Sequence, residues 1–189
     1  MAFSPSDFIN MTSLLIQLGK DAANLPAHGR QKYRNSVDET YRLFDTALSL
    51  MINRLESILV ITEDKQENFF EELSSLHNFD EWTNIEREVN LCRSLRMLQR
   101  EMTSFWDNLR SKLSLRNTGG VEDKIKDVLE GERSFAELIG SSLDTLAKMK
   151  GNASITYTKA REAVENKLDE LKETRRKLIS SEISFYEII

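Results

Sequence analysis

The sequence predicts an all-α protein, an elongated antiparallel bundle of four to five long amphipathic helices with coiled-coil-like packing. Of its 189 residues, 30% are charged and only seven are Gly and two are Pro. All-β folds need more of these two residues for their turns. Apolar residues also recur at alternating steps of three and four, which places them on one face of a helix. The short connections between these stretches favour antiparallel neighbours.

The first predicted helix starts within Ser4-Pro5-Ser6-Asp7. Ser4 can cap it, and Pro5 suits the first helical position because proline lacks the backbone hydrogen that would stay unpaired there. Pro26 and Gly29 then end the helix, since proline cannot continue the hydrogen-bond ladder. Its apolar positions are Phe8, Met11, Leu15, Leu18, Ala22 and Leu25.

The second predicted helix has the most regular spacing in the chain, and it starts either near Gly29 or at the capping box of Ser36. Its apolar row is Val37, Tyr41, Phe44, Leu48, Met51, Leu55 and Ile58. After Thr62 the row becomes polar, and it resumes at Phe69, Leu73 and Leu76. Either one helix runs to about His77, or the helix is jointed near residues 63–65.

The third predicted helix starts at Asn78, which can cap it ahead of the acidic residues of its first turn. Its row shifts phase once, between Cys92 and Leu98. The row comprises Trp82, Ile85, Val89, Cys92, Leu95, Leu98, Met102, Phe105, Leu109 and Leu113. The paired glycines Gly119 and Gly120 end it, so residues 116–120 are a possible joint. Without repeats or linker-like tracts, residues 1–189 are predicted to form a single helical-bundle domain.

The fourth predicted helix is separated from the last one by a second joint at Gly151-Asn152. The fourth carries Val121, Ile125, Val128, Phe135, Ile139, Leu143, Leu146 and Met149. The last carries Tyr157, Ala160, Val164, Leu168, Leu171 and Leu178. Arg175 interrupts this last apolar row with a charge.

The sequence contains no recognisable set of residues for catalysis or for binding a cofactor. His28 and His77 lie in predicted turns, and neither follows a Glu by three residues as a di-iron bundle requires. Cys92 falls on an apolar row, where a free cysteine usually packs as a small hydrophobe. The glycine pair lacks the Lys-Ser/Thr of a phosphate-binding loop. We therefore expect no enzyme activity, no cofactor, no metal site and no small-molecule substrate.

Charge and cysteine content favour a cytoplasmic protein. The formal net charge is −5, and a single cysteine excludes an internal disulfide framework. The N-terminal stretch has no positive residues ahead of a continuous apolar run, so a secretory signal is not expected. No stretch approaches the roughly 20 continuous apolar residues that cross a bilayer.

Two groups of residues form the candidate interaction surface. The first is a basic flank on the third predicted helix, which is either an ordinary solvated helix face or a surface for anionic partners. The second is the apolar end of the chain, which either folds back onto the core or is covered by a partner. These residues are Arg93, Arg96, Arg100, Arg110 and Arg116 in the flank, and Phe185, Tyr186, Ile188 and Ile189 at the end.

The functional hypotheses follow from the long apolar rows and from the lack of recognisable catalytic or cofactor-binding residues. The first hypothesis is a non-enzymatic protein-interaction or scaffold module that self-associates into an oligomer, such as a homodimer, or docks a partner protein. The alternative is a peripheral membrane protein whose basic face lies on anionic lipid. A nucleic-acid-associated helical protein ranks last, because the aromatic residues that would stack on bases fall mostly on apolar rows.

Overall fold

The computed structural model describes residues 27–77 and 141–188. Within these two ranges the chain is mostly helical and contains no strand, which confirms the all-α class. The first and third predicted helices, most of the fourth and the joint predicted at residues 116–120 lie outside the described residues. The number of helices and the single domain therefore stay predictions.

Helix α1 spans Ala27–Leu59, 33 residues or roughly 50 Å at 1.5 Å per residue. It already includes Ala27, which agrees with the predicted start near Gly29 and places Ser36 inside the helix. The predicted apolar row is buried from Tyr41 to Ile58: Tyr41, Phe44, Leu48, Met51, Leu55 and Ile58. This helix thus presents one continuous apolar face to its neighbours.

A joint follows α1, so the prediction of one long helix to His77 is wrong and the jointed alternative is confirmed. The chain turns after Leu59 and forms a 3-10 helix over Glu63–Lys65, then helix α2 over Gln66–Ser74 and a 3-10 turn over Ser75–His77. Phe69, Leu73 and Leu76 are buried, as the resumed apolar row predicts.

A second joint separates the short helix α3, Asp144–Ala147, from the last helix. After α3 the chain continues as a 3-10 helix over Lys148–Gly151 and becomes extended at Asn152. This confirms the predicted break at Gly151-Asn152. The side-chain oxygen of Asn152 accepts hydrogen bonds from the backbone nitrogen and hydroxyl of Ser154, at 3.1 and 2.6 Å, and so stabilises the turn.

Helix α4 spans Tyr157–Ile188 and runs antiparallel to α1. The direction follows from the contacts, because Tyr157 at its start reaches Ile61 while Tyr186 near its end reaches Asp38. Its predicted apolar row is buried throughout: Tyr157, Ala160, Val164, Leu168, Leu171 and Leu178. The pairing of α1 with α4 is the most extensive contact between described helices.

Helices α2 and α3 pack against the end of the α1–α4 pair where α1 finishes. The rings of Phe69 and Tyr157 meet edge to face, with centroids 4.9 Å apart. Arg54 of α1 forms a salt bridge with Glu72 and donates a 2.7 Å hydrogen bond to the hydroxyl of Ser75. Four helical segments therefore share the core at this end.

We predict that two neighbouring α4 residues differ in their contribution to the free energy of unfolding. Leu178 is 3% exposed and Ile179 is 42% exposed. Leu178→Ala should cost about 2–5 kcal/mol because it leaves a cavity in the core, whereas Ile179→Ala should cost about 1 kcal/mol or less. Urea denaturation followed by circular dichroism measures both, and equal losses would contradict this packing.

Candidate interaction surface

Tyr157 and Arg161, in the first turns of α4, bind the chain where α1 ends. We call this group of hydrogen bonds the polar clamp. The Tyr157 hydroxyl donates a 2.7 Å hydrogen bond to the carbonyl oxygen of Ile61. Arg161 Nη1 donates to the carbonyl oxygen of Leu59 at 2.9 Å and to the Tyr157 hydroxyl at 3.1 Å. These bonds satisfy the carbonyl of the last residue of α1 and that of Ile61 in the turn that follows, neither of which has a partner within the helix. The clamp is therefore structural.

Arg175, which interrupts the predicted apolar row of α4, contacts α1 near the middle of both helices. Its guanidinium binds both carboxylate oxygens of Asp45, with Nε at 2.6 Å from Oδ1 and Nη2 at 3.2 Å from Oδ2. The hydrogen bonds to the Asp45 carboxylate raise the pKa of Arg175. Lys172 forms a second bridge to Glu56 at 2.7 Å. The positive charge that Arg175 places on the apolar row of α4 is thus paired with a negative charge on α1.

A second apolar row on α4 is exposed, beside the buried one. Ile179, Ile183 and Tyr186 are 42%, 57% and 39% exposed, and their steps of four and three place them along one line of the helix. We call these three residues the C-terminal patch. A contiguous apolar surface of this kind on a folded protein is typical of an interaction site.

Tyr186 is fixed at the edge of the C-terminal patch by two contacts with α1. Its hydroxyl donates a 2.6 Å hydrogen bond to Oδ1 of Asp38, and the guanidinium of Arg34 lies 4.9 Å from the ring centroid. The hydrogen bond to the Asp38 carboxylate, with a contribution from burial, raises the pKa of Tyr186 to about 12. The patch is consequently held in one position against α1.

Three carboxylates beside the patch affect one another electrostatically: Asp38 and Asp45 on α1 and Glu182 on α4. Burial raises the pKa of Glu182, and the charges of Asp38 and Asp45 raise it further. We call these three residues the carboxylate cluster. Among the described side chains, Asp45 is paired with Arg175, whereas Glu182 has no salt bridge. No group of acidic, His or Cys residues in the described ranges is arranged to hold a metal ion.

Tyr41 is a core residue of α1 whose hydroxyl is influenced by the same charges. The residue is 1% exposed, and within the described ranges its oxygen has no hydrogen-bond partner. Burial raises the pKa of Tyr41, and the nearby charges of Glu182 and Tyr186 add to this effect. A buried polar atom without a partner costs free energy, so this hydroxyl is expected to lower the stability of the fold.

The residues that the sequence predicts as an interaction surface do not share one environment in the structure. Phe185 is fully buried, with its ring centroid 6.3 Å from that of Tyr41, so it belongs to the core. Tyr186 lies in the C-terminal patch, and the described part of α4 ends at Ile188. The remaining predicted residues lie outside the described ranges: Arg93, Arg96, Arg100, Arg110, Arg116 and Ile189.

Sequence reasoning missed Ile179 and Ile183. Only one apolar row was assigned to each helix, whereas α4 has a second row about 100° around its circumference from Leu178. The steps of four and three that link Ile179, Ile183 and Tyr186 are visible in the sequence, so a search for a second row would have found them.

A shallow pocket of about 420 Å³ lies at the opposite end, between α2 and the turn after α3. Glu71 and Lys150 face each other across it at 3.7 Å. Its other lining residues are Glu67, Phe70, Met149, Asn152, Ala153 and Ile155. The exposed Glu71–Lys150 pair contributes little stability, and the described lining offers no set of groups suited to catalysis.

The chain matches no protein-family model, and no curated protein or solved structure is detectably similar to it. None of the described helices is long and apolar enough to cross a membrane. Function must therefore be argued from the surface itself.

We predict opposite responses from two tyrosine-to-phenylalanine variants. Tyr41→Phe should leave the free energy of unfolding unchanged or raise it, because it removes a buried hydroxyl without a partner. Tyr157→Phe should lower it by about 1 kcal/mol or more, because it breaks the clamp on the end of α1. Chemical denaturation of both variants tests this, and a large loss from Tyr41→Phe would show that its hydroxyl has a stabilising partner.

We predict that Glu182→Gln stabilises the chain at neutral pH. Because the folded-state pKa of Glu182 is raised, the folded chain holds this proton more tightly than the unfolded chain, and stability falls as pH rises through the folded pKa. The variant should gain up to about 1 kcal/mol above that pKa and nothing well below it. Thermal denaturation from pH 3 to pH 8 measures the difference, with the exposed Glu162→Gln as control. A gain confined to low pH would contradict the cluster.

Proposed function

We propose that this chain is a non-enzymatic protein-interaction module that docks a partner protein through the C-terminal patch. The observation that carries the proposal is the exposed row of Ile179, Ile183 and Tyr186 beside a fully packed helix pair. The row has the spacing with which an apolar helix face meets another helix. Its support comes from the geometry of the surface, since fold alone does not identify a function.

The patch is preformed, which favours binding. The buried row of α4 holds the helix against α1, and the contact with Asp38 holds Tyr186. A surface that is already ordered loses little conformational entropy when a partner binds. The described part of α4 thus supplies a rigid apolar ridge.

A foreign partner fits the patch better than a second copy. If two copies paired along the row as a coiled coil, Glu182 and Glu187 would occupy the flanking positions. A parallel pair sets Glu182 against Glu187 of the other copy, and an antiparallel pair centred on the row sets Glu182 near its own counterpart. Like charges in these positions disfavour pairing, so self-association is the second possibility and not the first.

The membrane alternative depends on Arg93, Arg96 and Arg100, which lie outside the described residues. Around the C-terminal patch the described carboxylates would repel anionic lipid. Binding to a lipid surface through the basic flank stays a prediction.

We predict that a photo-crosslinking amino acid at Ile183 forms an adduct with a foreign protein in cells that produce this chain natively. Ile183 is 57% exposed, so the probe should not disturb the fold. The same probe at Glu162, on another exposed part of α4, is the control. Mass spectrometry identifies the adducts, and light scattering of the purified chain measures its oligomeric state.

The outcomes separate the alternatives. A foreign adduct at position 183 that is missing at position 162 supports the proposal. An adduct between two copies, together with a dimer mass, would favour self-association. If neither position formed an adduct and the purified chain were a monomer, the interaction function would lose its support.

A further inference from the structure

We propose that the last two turns of α4, residues 182–188, form a strap that opens locally from α1 while the rest of the helix pair stays packed. Ile183 and Tyr186 lie on this strap, so opening dismantles the C-terminal patch and uncovers Phe185, which is buried when the strap is closed. The strap thus switches the patch between a formed and an unformed state. This inference concerns the stability of the fold and does not require the proposed docking function.

The strap has little buried apolar surface with which to hold α1. The first half of α4 buries an apolar residue at every step of three or four along its row. In the second half only Leu178 and Phe185 continue the apolar row, because Thr174-Arg175 and Ser181-Glu182 occupy the steps before them. Phe185 is the only buried residue among the strap side chains that the structure describes. Since apolar burial supplies most of the energy that holds the two helices together, the strap is the most weakly held part of the described α4.

The polar contacts between the strap and α1 are few and lie at the surface. The Tyr186 hydroxyl donates its 2.6 Å hydrogen bond to Asp38, and the guanidinium of Arg34 lies 4.9 Å from the centroid of the same ring. Among the described side chains no salt bridge joins the strap to α1, whereas Arg175 pairs with Asp45 before the strap begins. Contacts at exposed positions contribute modestly to stability, so opening the strap breaks little.

A weak point in α4 lies directly before the strap, at Ser180 and Ser181. The hydroxyl of Ser184 donates a 3.1 Å hydrogen bond to the carbonyl oxygen of Ser180, which lies four residues earlier. In a regular helix this oxygen accepts the backbone hydrogen of residue 184, and a competing hydroxyl weakens and often bends the helix. Serine also has a lower helix propensity than the Leu, Lys and Glu residues common earlier in α4. The helix is therefore most easily interrupted where the strap begins.

The closed strap covers a buried hydroxyl at a cost. Tyr41 of α1 is 1% exposed, and its ring centroid lies 6.3 Å from that of Phe185. Within the described ranges its hydroxyl has no hydrogen-bond partner. When Phe185 moves away, water can reach this hydroxyl and bond to it, which offsets part of the energy lost on opening. This observation on α1 is independent of the weak point in α4.

Native-state hydrogen exchange of the full chain, resolved by NMR, tests the strap. A helix of two turns without packing is not stable in water, so the amide hydrogens of an opened strap exchange with solvent. We expect the amides of residues 182–188 to exchange together through one local opening, and faster than those of residues 160–171. Because a local opening exposes little surface, exchange from the strap should respond weakly to low concentrations of urea.

Three tyrosine-to-phenylalanine variants separate this opening from ordinary fraying of a helix end. Tyr186→Phe should speed exchange from the strap about twofold to tenfold, because it removes the bond to Asp38. Tyr41→Phe should slow exchange about fivefold or more, because the closed strap then covers no unpartnered hydroxyl. Tyr157→Phe is the matched control. It weakens the polar clamp at the other end of α4 and should leave exchange from the strap unchanged.

Two results would overturn the strap. In the first, the amides of residues 182–188 exchange no faster than those of residues 160–171, and Tyr157→Phe speeds both groups equally, so that the end of α4 opens only when the whole chain unfolds. In the second, these amides exchange faster but respond to neither Tyr41→Phe nor Tyr186→Phe, as simple fraying would. Neither result affects the proposed docking function, which the photo-crosslinking probe at Ile183 tests separately.

Discussion

The antiparallel burial of one apolar face of α1 against one apolar face of α4 is the constraint on which the described structure depends. Each fully buried Leu, Ile, Met or Phe side chain contributes roughly 1.5–3 kcal/mol. Exposed ion pairs contribute about 0–1 kcal/mol each. The Arg175–Asp45 and Lys172–Glu56 bridges therefore do little to hold the helices together, and their main effect is to fix the register in which the helices pack.

The same register creates the surface proposed for binding. Residues advance by 100° around a helix, so Leu178 faces the core while its neighbour Ile179 faces outward. Packing that places Phe185 between the helices also places Tyr186 at their edge, where Asp38 holds it. It brings Glu182 close to two carboxylates of α1 as well, a costly arrangement that core packing tolerates. The exposed apolar row and the raised pKa of Glu182 thus have one structural origin.

Local patterns in the sequence predicted those features that are determined by residues close to one another along the chain. The buried positions from Tyr41 to Ile58, the row of α4 and the break at Gly151-Asn152 all follow from spacing or turn residues. The sequence of α1 alone could not decide whether the helix continued beyond Leu59. The groups that hydrogen-bond to the carbonyl oxygens at this point belong to Tyr157 and Arg161, about a hundred residues later. The partner of Arg175 is likewise 130 residues away. Ile179 and Ile183 were missed because a second apolar row cannot be called exposed until the first is known to be buried.

The turn at Ser75–His77 packs directly against α3, where the second described range begins. The end of the first described range thus lies next to the start of the second. Because the helices of each range cover apolar faces of the other, the two ranges are expected to unfold in one cooperative transition, although they are far apart along the chain.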